Sequence, residues 1–342
     1  MFNVGLVGLG FMGAGHLNTY QQMEKDGLPV KLAAVCDVDE AKFKAGAATQ
    51  GNIKVGSGSF DLSAYSLYND MDEMIACEQL DAIDICLPTY LHGPASVRAM
   101  EAGKHVFCEK PMAISSEMCG TMISASKRTG MKLMIGHTLR YWNVYEFLKS
   151  VVDENKFGKC ISGYFFRGGQ TPRWSWQNWL LTNEKSGGAL LDQHIHDVDA
   201  INWLFGVPKS VSSIGRVVFP GSGYDAVSTN YFYGDMVINA QDDWTINGDG
   251  YGFEMLFRVN FERGAVVLGN GKFKVCPNDG KVYEPELSSE PAYYKELRLF
   301  YEYLNDLNNY DCIPLLESHR DTIRIAEAER ESCDKNGASV AL

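Results

Sequence analysis

The hydrophobic pattern changes its period partway along the chain, and that change divides it. Up to about residue 136, short apolar runs alternate with stretches that fit helices. Val4-Gly5-Leu6-Val7 is a continuous apolar run, as in a parallel strand buried on both faces. Similar runs recur at 31–36, 81–87, 104–108 and 132–135. Between them, 14–22, 39–49, 70–76, 92–102 and 115–129 read as helices. The last two are stopped by Gly103 and Gly130, residues that tolerate the left-handed turn after a helix. Residues 50–62, rich in Gly and Ser, read as a loop. Strands alternating with helices predict a parallel sheet with crossover helices, whose ligands bind at the carboxyl ends of the strands.

Beyond His137 the pattern differs. A helix at 141–154 and a strand at 159–167 lead into a Trp-rich loop at 172–179. Ser186-Gly187-Gly188 then opens a helix expected to run to Phe205. Past Gly206 the period becomes two. Phe253, Met255, Phe257, Val259 and Phe261 alternate with Glu254, Arg258, Asn260 and Glu262, giving one buried and one polar face. Further strands are expected at 207–218, 226–233, 236–246 and 265–268, with a hairpin turn at Arg263-Gly264, and helices at 293–308 and 317–335. The fold class is therefore α/β. A doubly wound parallel sheet spans about 1–130, and an α+β domain with a large, mostly antiparallel open sheet spans 131–342.

The loop after the first strand gives this architecture a candidate function. In Gly8-x-Gly10-x-x-Gly13, Gly8 suits the tight turn, Gly10 the approach of backbone to a pyrophosphate, and Gly13 close packing of helix on strand. Phe11 and Met12 complete the turn, and the diphosphate would rest on the N–H groups of the helix N-terminus. Asp37 ends the second strand near the offset expected for the partner of a ribose hydroxyl. With Asp39 and Glu40 after it and no Arg nearby, it favours NAD over NADP, whose 2′-phosphate these carboxylates would repel.

Composition removes other classes. The net charge of −12 on 342 residues argues against nucleic acid or anionic membrane as a partner, while leaving small anionic ligands open. The nine cysteines are scattered, with no CxxC pair, which points to a reducing compartment with neither disulfide framework nor zinc. Met1 leads directly into the first strand without a basic leader, and no apolar run reaches the length of a membrane span. The expected location is the cytoplasm.

Two stretches carry catalytic chemistry. In Asp192-Gln193-His194-Ile195-His196, a continuous helix would bring Asp192 and His196 onto one face, where the carboxylate would orient the imidazole and raise its pKa. That suits a general base; a helix with a polar solvent face fits the spacing equally well. Asp192, His194 and His196 also have metal-ligand chemistry, but residues two apart on a helix diverge, so no metal is expected. In Glu109-Lys110-Pro111 the proline restricts Lys110 and fixes its aim at a strand end, where an ammonium could stabilise an alkoxide. Pro88, Thr89 and His92 could line a nicotinamide site, or Thr89-x-x-His92 could simply start a helix. Arg140 and Trp179, with Trp174 and Trp176, could bound a substrate site or could serve only in packing.

The glycine loop, Leu87-Pro88-Thr89-Tyr90-Leu91-His92, Glu109-Lys110-Pro111, and Gly187-Gly188 leading to Asp192-x-x-x-His196 together resemble the Gfo/Idh/MocA oxidoreductases, which include glucose–fructose oxidoreductase and myo-inositol dehydrogenases. The resemblance spans nearly the whole chain. It implies a Rossmann domain followed by an α/β domain whose open sheet mediates homodimers or homotetramers. It also implies that Lys110, Asp192 and His196 surround the reacting carbon, with Glu109 and Lys110 beside the cofactor. His194 stands where many inositol-type members carry a small residue, so substrate identity does not transfer. The expected reaction is reversible oxidation of a secondary alcohol on a sugar, polyol or cyclitol, with hydride transferred to NAD. A glycosidase that uses NAD transiently and a non-catalytic dinucleotide sensor are the alternatives.

Overall fold

A computed structural model describes residues 1–44, 51, 61–248, 251–305 and 315–342. They form two compact units. The first comprises Met1–Gly136, Trp174–Gln177 and Tyr293–Arg320; the second comprises His137–Arg173, Asn178–Ala292 and Asp321–Leu342.

In the first unit, β1 (Phe2–Val7), α1 (Phe11–Lys25), β2 (Val30–Cys36), β3 (Ser66–Tyr68), α2 (Met71–Cys77), β4 (Ala82–Ile85), α3 (Thr89–Glu101), β5 (His105–Glu109), α4 (Ser116–Thr129) and β6 (Leu133–Gly136) follow in order. The strands form one parallel sheet in the order β3-β2-β1-β4-β5-β6. Leu6, Val35, Ile83, Ile85, Val106 and Ile135 are buried along it, as expected for strands covered on both faces. The order reverses between β1 and β4, and a doubly wound sheet opens a ligand crevice at that point. Local chemistry fixes the helix ends: Ser115 accepts a hydrogen bond from the Met118 N–H, and Gly130 takes the left-handed conformation that ends α4.

Several expectations shift. The helix placed at 92–102 starts earlier, at Thr89, directly after Pro88. Strand β3 was not anticipated; Ser66 and Leu67 are exposed, so this edge strand lacks a buried apolar run. Of the helix placed at 39–49, the described part is a single 3-10 turn at Glu40–Phe43, and 45–49 lie outside the described residues, as does most of the 50–62 loop. A cut at residue 130 would separate β6 from the sheet in which it pairs with β5.

The second unit holds α5 (Asn143–Asp153), β7 (Cys160–Gln170), α6 (Asn183–Ser186), α7 (Gly188–Asp192), α8 (Ile195–Phe205), β8 (Ser210–Arg216), β9 (Ala226–Phe232), β10 (Val237–Ile246), β11 (Phe253–Phe261), β12 (Gly264–Gly269) and β13 (Lys272–Pro277). Of the closing elements α9 (Ala292–Asn305), α10 (Leu316–Asp334) and β14 (Val340–Ala341), α9 falls almost wholly in the first unit. Eight strands pair in the order β13-β12-β11-β7-β10-β9-β8-β14. Only β7 and β10 run parallel; the other pairs are antiparallel. Strand β10 shows the alternation: Ile238, Ala240, Asp242 and Trp244 are buried, while Asn239, Gln241, Asp243 and Thr245 between them are only half-buried. Asp242 is a carboxyl at an apolar parity, so the pattern alone could not assign its partners.

The continuous helix expected from Ser186 to Phe205 is three pieces. Gly187 and Gly188 both have positive φ, and a Cβ on Gly188 would lie 2.7 Å from the Ser222 carbonyl oxygen, so backbone packs on backbone there. After Asp192 the hydrogen-bond ladder slips: the His194 N–H bonds to the Ala189 carbonyl, five residues back, at 2.8 Å. The argument that Asp192 and His196 share a face of one regular helix therefore does not hold across the break.

Candidate cofactor and catalytic residues

The glycine loop can be read position by position. Gly8 has φ +96, and its N–H bonds to the Cys36 carbonyl at 2.8 Å. A Cβ on Gly8 would lie 2.4 Å from the Cys86 carbonyl oxygen, and one on Gly13 only 1.8 Å from the Gly8 carbonyl oxygen. Neither position admits a side chain. Among the described residues, a Cβ on Gly10 would meet nothing within 4 Å. This open space adjoins the N-terminus of α1, which has no side-chain cap and no acidic residue in its first turn. A helix end in that state offers N–H groups and a favourable dipole to a diphosphate. The residues present thus fit a dinucleotide.

Asp37 is buried, and its carboxylate accepts the Leu9 N–H at 2.7 Å and the Asp39 N–H at 2.9 Å. It therefore ties the end of β2 to the glycine loop. Lys42 donates to the same carboxylate at 2.9 Å. This lysine offsets part of the repulsion a 2′-phosphate would feel.

At the ends of β4 and β5, two of the expected cofactor residues, His92 and Glu109, also have partners within the protein. Thr89 and His92 lie in the first turn of α3, both about 1% exposed. The His92 ring nitrogens lie 2.7 Å from the Pro111 and the Leu87 carbonyl oxygens, so the ring clamps two loops together. Burial pushes its pKa below the ordinary histidine value, with the two carbonyls opposing. Glu109 points inward, one oxygen 3.1 Å from His16 Nε2 and the other accepting the Lys110 N–H at 3.1 Å. Lys110 itself is partly exposed.

His16 centres a buried network that sequence reasoning missed, since its members lie on four different elements. Its Nδ1 is 2.8 Å from Asp84, which also accepts the Tyr20 hydroxyl at 2.8 Å. Burial pushes the His16 pKa down, but Asp84 and Cys86 outweigh it, and the ring is held well above its ordinary value. Glu296 of α9 is fully buried, within 4.8 Å of the His16 and Glu109 ligand atoms, and its carboxyl is pushed well up by burial and by Glu109. Both ring nitrogens of His16 already face carboxylates, so this donor set reads as an ion-pair network.

In the second unit, Asp192 and His196 are partly exposed, whereas Gln193, His194, Ile195 and Asp197 between and beside them are buried. Trp179 is half-buried on a 3-10 turn, Trp176–Leu181. Arg140 departs from its expected role. It is buried and bidentate to Asp199, at 2.8 and 2.7 Å, and Thr322 donates to the same carboxylate at 2.9 Å. Its guanidinium braces the unit.

Known proteins resemble the chain in both halves. Residues 2–137 match the model of an oxidoreductase family with an NAD-binding Rossmann fold, and 145–267 match a GFO/IDH/MocA C-terminal domain. Among curated proteins, 2,7-anhydro-N-acetylneuraminate hydratase of Escherichia coli is 29% identical over 66% of this chain and 55% of its own length. Levoglucosan dehydrogenase of Pseudarthrobacter phenanthrenivorans is 29% identical over 66% of this chain and 58% of its own length. The chain thus spans little more than half the length of these relatives. A solved oxidoreductase from Agrobacterium radiobacter, in complex with NAD+, L-tartaric acid and magnesium, superimposes with a TM-score of 0.81 at 18% identity, covering 99% of this chain and 98% of the other.

Proposed function

Because the chain belongs to the Gfo/Idh/MocA oxidoreductase family, we propose that it is an NAD-dependent dehydrogenase that reversibly oxidises a secondary alcohol of a sugar, polyol or cyclitol. The observation that carries this reading is the open cradle at Gly10 before an uncapped α1, at the switch point of a β3-β2-β1-β4-β5-β6 sheet. NAD would be held there by the glycine loop and Asp37, and when bound it supplies the hydride acceptor. His196 takes the hydroxyl proton, Lys110 stabilises the developing alkoxide, and Asp192 holds a neighbouring hydroxyl or orients the imidazole. Either His196 or Lys110 can serve as the formal base.

A second reading has one observation in its favour. A relative named as a hydratase carries out, by its name, no net oxidation. On that reading NAD is used transiently, and product forms without net NADH.

The test is absorbance of NADH over a panel of sugars, inositols, anhydrosugars and sugar acids with NAD or NADP, beside His196→Ala. A substrate-dependent rise with NAD, reduced about 10²–10⁴-fold in the variant, is expected. Product without NADH moves the assignment to the second reading, and tight NAD binding with no product at all moves it to a sensor. The open face of the second sheet, with Ile214 69%, Phe232 47% and Val237 70% exposed, is proposed to bind a second copy of the chain. Light scattering that shows a monomer would overturn that.

A further inference from the structure

We propose that His194, held beneath the α7–α8 break by Glu329 of α10, is a positioning residue that sets the aim of His196 and Asp192. The proposal rests on the catalytic reading of those two residues.

The break is fastened to the interior at three points. Gln193 Nε2 donates to Asp242 of β10 at 3.3 Å. His194 Nε2 lies 3.5 Å from Glu329 Oε2 and 3.3 Å from the Tyr231 hydroxyl of β9. Asp197 is bidentate to Arg167 of β7, at 3.1 and 3.2 Å. Every one of these side chains is buried. The two partly exposed side chains, Asp192 and His196, stand on either side of the first two fasteners.

The three differ in kind. The Arg167 guanidinium keeps its charge throughout the working pH range: burial lowers its pKa, but Asp197 and Tyr145 outweigh that and hold it above the ordinary value. The His194 fastener titrates. The groups facing it are Glu329 on α10, Tyr231 on β9, Asp242 on β10 and Asp197 on α8, with Cys333 beside Glu329. Burial lowers the His194 pKa, but Glu329, Asp242 and Asp197 together raise it above the ordinary value. The network is also loose: among the described residues, His194 Nδ1 and Asp242 Oδ2 have no hydrogen-bond partner. A loosely satisfied polar group can move when its charge changes, and a packed apolar residue at 194 could not. When the imidazolium deprotonates, the attraction to Glu329 falls, and the slipped turn two residues before His196 loses its hold.

The test uses the full chain with Glu329→Gln and His194→Gln, and the milder Tyr231→Phe in case either fails to fold. With NAD bound, kcat is expected to fall about tenfold while KM for NAD stays within about twofold. In Glu329→Gln the alkaline fall of kcat moves to lower pH, because the group that raised the His194 pKa is gone. A second readout is independent of turnover: titration of isotope-labelled histidines by NMR, with His194 and His196 assigned from His194→Gln and His196→Ala. The His196 resonance is expected to shift in Glu329→Gln or in Tyr231→Phe. A His196 resonance unmoved in both variants overturns the proposal, as does a wild-type kcat profile preserved in Glu329→Gln. A wild type that oxidises no alcohol sinks the dehydrogenase reading alone, and the histidine titration still decides this one.

Discussion

The glycine loop and the broken helix both carry proposed chemistry, yet they are built by opposite means. At Gly8–Gly13 the geometry is made of backbone, with contacts so close that a Cβ would come within 1.8 or 2.4 Å of a carbonyl oxygen. At the α7–α8 break it is made of buried polar and charged side chains that reach partners on other elements. A backbone device can be specified by a few neighbouring residues. A side-chain device exists only once distant strands and helices have assembled, so its members look like surface residues until the fold is known.

The largest effect expected to separate the two falls on the side-chain region. Arg140→Ala leaves Asp199 buried without its bidentate partner, and breaking such a pair costs about 3–5 kcal/mol. Replacing both residues by apolar ones of similar volume is expected to cost much less. Urea denaturation measures both. A variant that keeps full stability but raises KM for the alcohol would place Arg140 in the substrate site.

The backbone region is expected to fail by position. Gly13→Ala drives a Cβ into the Gly8 carbonyl and is expected to cost about 3 kcal/mol or more, with loss of NAD binding. Gly10→Ala meets no atom within 4 Å among the described residues, and Gly10 has an ordinary φ of −81, so stability is expected to hold within about 0.5 kcal/mol. NAD affinity is nonetheless expected to fall about tenfold or more, because the added methyl fills the cradle. Thermal melts and NAD titrations on the pair separate the roles. Equal stability losses at both positions would remove the argument that Gly10 is reserved for a ligand.

The same contrast explains what the sequence could convey. The parallel sheet, the glycine loop and Asp37 follow from periodicity and spacing within about forty residues. The open sheet was legible from its period of two. The break at Gln193–His194 was not, because nothing local marks it: both residues have helical torsions, and the slip answers to partners on β9, β10 and α10. The protein partners of Arg140 and Glu109 were hidden for a related reason. A charged residue in sequence suggests solvent or ligand, and their partners Asp199 and His16 lie 59 and 93 positions away. Thr89 and His92 do start a helix, as one of their two readings had it.

The smallest expected effect brings a side-chain device into the backbone-built half. Glu296 is buried beside His16 and Glu109, and burial, then Glu109, raises its pKa well above 4.5. A carboxyl with a raised pKa in the fold binds its proton more tightly there than in the unfolded chain. Its contribution to stability is therefore complete below pH 4.5 and is lost as pH rises towards the folded value. Glu296→Gln stays neutral at every pH, so wild type and variant should be matched near pH 4 and diverge above it, the variant becoming relatively more stable. Over the first unit of pH above 5 the gap is expected to widen by about 1 kcal/mol, close to the limit for one proton. Paired denaturation curves from pH 4 to 8 measure it. A gap that stays constant would mean that Glu296 is ionised in the fold and that His16 answers it as a third carboxylate. The first unit would then hold a full buried charge cluster, and its difference from the bed beneath the broken helix would shrink to the glycine loop alone.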